Sequence, residues 1–115
     1  MKIMIVDDNA EMRRLLMGLL RREGTEFIEC ADGAEAVPAF EVHHPDWTVM
    51  DIMMKDVDGI TATQRIHDRH PNSRVVVVTQ HDNPKLRAAA LTAGACGFAL
   101  KDDLDSLLQI IRQPD

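Results

Sequence analysis

The chain predicts an α/β fold in which five parallel strands form one doubly wound sheet, and three observations carry that prediction. Five short apolar runs alternate with five segments whose apolar residues recur at helical spacing. The fourth run, residues 75–79, opens with four consecutive valines, as expected of a central strand covered by helices on both faces. Four of the five runs end in, or are directly followed by, a polar group: Asp7 and Asp8, Asp51, Thr79 and Lys101.

Each element follows in order. Ile3 to Val6 is the first strand. Asp8 or Asn9 can cap the next helix, whose inward stripe is Met12, Leu15, Leu16, Leu19 and Leu20 and which Gly24 ends. Phe27 to Cys30 is a weaker strand, followed by the turn residues Asp32 and Gly33 and a helix presenting Ala36, Val37 and Phe40. Pro38 has no amide to donate, so a short or displaced helix is expected there. Trp47 to Asp51 is the third strand, introduced by Pro45 and Asp46; after the acid-rich loop MMKDVDG comes a helix with Ile60, Thr63 and Ile66 inward. Beyond the valine strand, Asp82, Asn83 and Pro84 read as the cap and first turn of a helix carrying Leu86, Ala89, Ala90 and Ala93, which Gly94 stops. Gly97 to Leu100 is the last strand, and Leu104, Leu107, Leu108 and Ile111 give the closing helix its apolar face. With no repeat, linker or low-complexity stretch, residues 1–115 read as a single domain.

Right-handed crossovers between successive strands give an open doubly wound sheet, for which the flavodoxin-like order 2-1-3-4-5 is expected. In such sheets ligands bind beyond the carboxyl ends of the strands, where the strand order reverses, here between the first and third strands. Asp7, Asp8 and Asp51 sit there, with Thr79 and Lys101 ending the neighbouring strands. Singly, each has a plainer role as cap, turn residue, strand former or surface ammonium. Jointly, three carboxylates, a hydroxyl and an ammonium at one sheet edge suit a divalent cation and a phosphoryl group, and they predict phosphoryl transfer onto an aspartate.

Composition narrows the partners. A formal net charge of −6 argues against a nucleic-acid surface and favours a protein partner. Cys30 and Cys96 lack metal or redox spacing and are expected to be buried thiols. The start MKIMIV meets Asp7 and Asp8 too soon to be a signal sequence, and no run reaches membrane-spanning length, so a cytoplasmic protein is expected. His43 and His44 read as solvated loop residues rather than metal ligands, and the seven methionines as core filler.

At this point the chain resembles the receiver domain of two-component response regulators over essentially all its length. The matching pieces are IVDDN at 5–9, MDIMM at 50–54 with Asp58 and Gly59, VVVVT at 75–79 and GFALKD at 97–102. The resemblance implies that Asp51 is the phosphoacceptor. It also implies that Asp8, Asp51 and the backbone carbonyl of Met53 hold Mg²⁺, with Mn²⁺ as a substitute, and that Asp7 helps through water. Lys101 would pair with phosphoryl oxygens or Asp51, Thr79 would bond the phosphoryl group, and Phe98 would be the aromatic that changes rotamer. The partners implied are a sensor histidine kinase or phosphotransfer protein and a homodimer through the face of the fourth helix, fifth strand and fifth helix. Asp102 rather than proline after Lys101 looks most like receivers that carry a C-terminal helix-turn-helix, DNA-binding effector. The tail Gln113, Pro114 and Asp115 is accordingly expected to mark a boundary within a longer regulator.

Departures from the family pattern cluster at the rim. Lys55 stands where proline is usual, Gln80 where a small residue often follows the hydroxyl, and Met53 and His81 occupy positions that influence phosphoryl loss in the family. Two alternatives stay open: an adaptor that works without phosphorylation, and a metal-dependent hydrolase on a related sheet. Against the second, DDNAEM follows the first strand in place of any glycine-rich phosphate loop.

Overall fold

A computed structural model describes residues 1–54 and 57–112. Strands β1 (Lys2–Val6), β2 (Glu26–Cys30), β3 (Trp47–Asp51), β4 (Val75–Thr79) and β5 (Gly97–Leu100) alternate with helices α1 (Ala10–Leu20), α2 (Gly33–His43), α3 (Gly59–Arg69), α4 (Pro84–Thr92) and α5 (Leu104–Arg112). All pairings are parallel, and the sheet order is β2-β1-β3-β4-β5, the flavodoxin-like order expected from the sequence.

Side-chain alternation along the strands divides the core into two halves. Ile3, Ile5, Val49, Val76 and Val78 face one side, where Leu16 and Leu20 of α1 and Leu107 and Ile111 of α5 cover them. Met4, Val6, Met50, Val75 and Val77 face the other, under Ala36 and Phe40 of α2, Ala62 and Ile66 of α3 and Ala90 of α4. Every residue of β3 and β4 is buried, which explains why β4 is apolar until Thr79 and β3 is apolar but for Thr48 until Asp51. Burial of Asp51 and Thr79 at those strand ends is therefore dictated by their register within the sheet, Asp51 opposite Val78 and Thr79 opposite Leu100.

Helix starts are capped by the residues the sequence suggests. Asn9, not Asp8, caps α1, its Oδ1 accepting the Met12 N–H at 3.0 Å. Asp58 accepts the Thr61 N–H at 2.8 Å, and Asn83 precedes Pro84 at the first position of α4. Because Asn9 does the capping, Asp8 stays exposed and uncommitted to the helix.

Four expectations are corrected. Helix α2 is neither short nor displaced: it has 11 residues with Pro38 in its interior. A reciprocal capping box between Asp32 and Glu35 and a left-handed cap at His44, whose N–H bonds the Phe40 carbonyl at 2.8 Å, hold both of its ends. Leu15 on α1 is 55% exposed, and Ala89 on α4 is exposed, because the buried stripes are narrower than the apolar ones. Cys96 is exposed, since it lies in the turn before β5, where its backbone N–H bonds the Val75 carbonyl at 2.9 Å. Cys30 is buried as expected, and burial pushes its thiol up to about 11.

Candidate functional site

The carboxyl ends of β1, β3 and β5 bring the site together. Asp7 follows β1, Asp51 closes β3, and Lys101 follows β5 with its N–H on the Thr79 carbonyl at 2.8 Å. Asp7, Asp8, Asn9, Asp51, Met53, Gln80 and Lys101 line a cleft of about 200 Å³. The β3–α3 connection is held close by Gly59, whose N–H bonds the Ile52 carbonyl at 3.0 Å. A Cβ at that position would overlap the Asp51 carbonyl, so the glycine is required by the tight approach of α3 to the strand end.

Asp7 and Asp51 are almost fully buried, 1% and 4% exposed. The Lys101 ammonium lies between them, 3.1 Å from Asp7 Oδ2 and 3.2 Å from Asp51 Oδ1. Asp7 Oδ1 accepts the Asn9 N–H at 2.9 Å. Burial and the neighbouring Asp7 charge push Asp51 up from 3.8 to about 6, against the opposing pull of Lys101 and the Met53 N–H. For Lys101, burial works downward, but the charges and hydrogen bonds of Asp51 and Asp7 outweigh it and raise the ammonium above its ordinary range. One ammonium thus offsets two carboxylates, and the exposed Asp8 adds a third.

One carboxylate oxygen from each of Asp7, Asp8 and Asp51 can be chosen so that all lie within 4.8 Å of one another. Three hard oxygen donors at that spacing, two of them buried and short of compensating positive charge, fit a small divalent cation of the Mg²⁺ type.

The remaining expected residues are distributed unevenly. Thr79 is fully buried at the end of β4, and its Oγ1 accepts the His81 N–H at 3.2 Å. Met53 and Gln80 stand on the cleft wall, with Met53 59% exposed, whereas the exposed His81 is not a wall residue. Phe98 lies away from the cleft, half-buried against the core beneath α4, with the Arg87 guanidinium 4.8 Å above its ring. Lys55 lies outside the described residues. Two residues the sequence reading passed over join the site. Asn9 is a wall residue as well as a cap, and Arg13 donates to the Asp7 carbonyl at 2.7 Å. Asn9 was open to discovery from its adjacency to the acid pair; Arg13 was not, being one of two adjacent arginines on α1.

Comparison with known proteins identifies the family. The family model for the response regulator receiver domain matches residues 3–112. The chemotaxis protein CheY of Bacillus subtilis is 34% identical over 114 residues, covering 97% of this chain and 95% of that protein. The transcriptional regulatory protein DegU of Brevibacillus brevis is 35% identical over 115 residues, but there the match takes in 96% of this chain and 48% of the relative, about half its length. Among solved structures, a LuxR-family two-component response regulator from Aurantimonas sp. SI85-9A1 superimposes with a TM-score of 0.89 at 34% identity, covering 96% of this chain and 81% of that one. The CheX-CheY-BeF3-Mg²⁺ complex from Borrelia burgdorferi gives 0.86 at 28% identity, covering 97% and 90%. The chain belongs to the response regulator receiver domain family of two-component signalling, with a CheY-like fold.

Proposed function

We propose that this chain is a phosphoacceptor: Asp51 takes a phosphoryl group from a phosphorylated histidine of a sensor kinase or phosphotransfer protein. The observation that carries the reading is the Lys101 ammonium held 3.1 Å and 3.2 Å from Asp7 and Asp51, with Asp8 beside them. An Asp51 oxygen attacks phosphorus in line, the new O–P bond forms as the donor P–N bond breaks, and the imidazole leaves. The protein contributes position and electrostatics, since the driving energy resides in the donor bond.

Asp8, Asp51 and the Met53 carbonyl would hold Mg²⁺, with Mn²⁺ as a substitute and Asp7 acting through water. When bound, the cation offsets negative charge on the transferring group. Lys101 neutralises the remaining charge and, once Asp51 is phosphorylated, is free to pair with a phosphoryl oxygen. Because Thr79 Oγ1 already accepts from His81, its own proton is the one directed to the phosphoryl group. Phe98 is the aromatic that follows Thr79 when it moves. Met53, Lys55, Gln80 and His81 set water access to the acyl phosphate, and with it the rate at which the domain removes its own phosphoryl group.

Output passes through the face of α4, β5 and α5, as a homodimer or with a protein partner, and in a longer regulator to a C-terminal DNA-binding effector. The domain itself, net charge −6, does not bind nucleic acid. No described helix is long and apolar enough to cross a membrane, in keeping with action in the cytoplasm as one domain over residues 1–115. The test is intact mass after incubation with acetyl phosphate, with and without Mg²⁺. A single phosphoryl increment that requires the metal and is absent from Asp51→Asn is expected. A folded protein that takes up nothing from two small phosphodonors would replace this reading with the phosphorylation-independent adaptor.

A further inference from the structure

The peptide unit that joins Asp7 to Asp8 is held by a side chain from outside the cleft. Arg13, in the second turn of α1, sends Nη1 back to the Asp7 carbonyl oxygen at 2.7 Å and Nε to Glu29 Oε1 on β2 at 2.9 Å. Its side chain is 16% exposed, against 46% for Glu29. The Asp7 carbonyl lies past the end of β1, where no backbone donor among the described residues reaches it. With this bond, the Asp7 N–H goes to the Cys30 carbonyl at 3.1 Å, Oδ1 to the Asn9 N–H and the carbonyl to Arg13, while Oδ2 has the Lys101 ion pair at 3.1 Å and no hydrogen-bond partner.

That carbonyl belongs to a planar unit whose other end is the Asp8 nitrogen. Fixing its direction fixes ψ of Asp7 and φ of Asp8, and so the angle at which the two carboxylate-bearing carbons face each other. We propose that Arg13 is a positioning residue for the acid pair: its guanidinium pins the Asp7–Asp8 peptide and thereby sets the relative placement of the carboxylates that take a divalent cation. The inference rests on reading the acid cluster as a cation site. Glu29 takes the guanidinium Nε at 2.9 Å, while the bond to the Asp7 carbonyl is made by Nη1.

The sign of the effect separates this role from simple electrostatics. Removing a cation beside three carboxylates should, on charge alone, tighten binding of another cation. Removing a positioning group should weaken it, and loss of a group that orients metal ligands typically weakens binding about tenfold or more. The experiment is calorimetric titration of Mg²⁺ into wild type, Arg13→Met, Arg13→Lys and Glu29→Gln, each first melted to establish folding. A Kd raised about tenfold in Arg13→Met, raised less in Arg13→Lys, and within about twofold of wild type in Glu29→Gln is expected. Acetyl phosphate uptake by Arg13→Met should then need more Mg²⁺ for half-maximal rate while reaching the wild-type rate at saturation. An unchanged or lower Kd in Arg13→Met overturns the proposal, as does a Glu29→Gln Kd raised equally, which would make Arg13 a staple between α1 and β2. If Arg13→Met does not fold, Arg13→Lys decides by the same criterion. Wild type that takes up no Mg²⁺ removes the cation reading as well; wild type that binds while Arg13→Met binds equally removes only the role of Arg13.

Discussion

Asp51 is held under electrostatic tension by its burial and by the neighbouring Asp7. Its carboxyl is raised from 3.8 to about 6, so the folded chain holds that proton more tightly than the unfolded chain does. The ionised form therefore weakens the fold above about pH 6, the penalty shrinks as pH falls from 6 toward 3.8, and below that it is absent. Asp51→Asn should accordingly stabilise the metal-free protein by about 1–3 kcal/mol at pH 8, with the gain fading toward pH 4. Urea denaturation in chelator at the two pH values checks it; equal gains at both would contradict the assignment. Lys101 is the opposite case. Lys101→Met leaves two buried carboxylates facing each other without their shared ammonium, and should destabilise by about 3 kcal/mol at pH 8. Adding Asp51→Asn to that variant should recover most of the loss, because only one buried charge then remains. Both residues stand at run ends that the sequence marks clearly. Arg13 does not, since its importance depends on where a long side chain turns back across a helix, and that is decided in three dimensions.

At the scale of elements, patterning located every strand and helix because the central strands are buried on both faces and each helix covers the sheet with a short apolar stripe. What the pattern could not show was how neighbouring groups compensate a local fault. Pro38 removes one hydrogen bond from the interior of α2, yet the capping box at Asp32 and Glu35 and the His44 cap keep all 11 residues helical. Pro38 is exposed, so replacing it sacrifices little packing. Pro38→Ala should restore the missing bond and raise stability by about 1–3 kcal/mol, read as a shifted urea midpoint with unchanged slope. Leu15 misled in the other direction: it continues the apolar spacing of α1 but projects beyond the sheet, 55% exposed. Spacing identifies a helix face; how wide a strip of that face the sheet covers depends on packing angle and cannot be counted along the chain.

For the molecule as a whole, a cation held by the acids at one sheet edge would couple folding to its own binding. A ligand that binds only the folded state adds about 1.4 kcal/mol of stability for each tenfold rise in its concentration above Kd. Urea midpoints should therefore climb with Mg²⁺ at constant ionic strength, and Asp8→Asn should flatten that dependence; a wild-type midpoint indifferent to Mg²⁺ would leave the acid cluster without a cation. The topology was legible because five strand–helix units joined by four right-handed crossovers make a doubly wound sheet, and the candidate site because the flavodoxin-like order puts β1 and β3 side by side. The Phe98 contact with Arg87 was not, since it joins α4 to β5 through a ring and a guanidinium that no periodicity links. The central claim is that Asp51 itself becomes the acyl phosphate. Borohydride reduction of the acetyl phosphate-treated protein converts an aspartyl phosphate to homoserine, and tandem mass spectrometry of its peptides locates the change. Homoserine at position 51 alone, and only when Mg²⁺ was present, is the predicted result; reduction at another residue, or none in a protein that has gained phosphoryl mass, would contradict it.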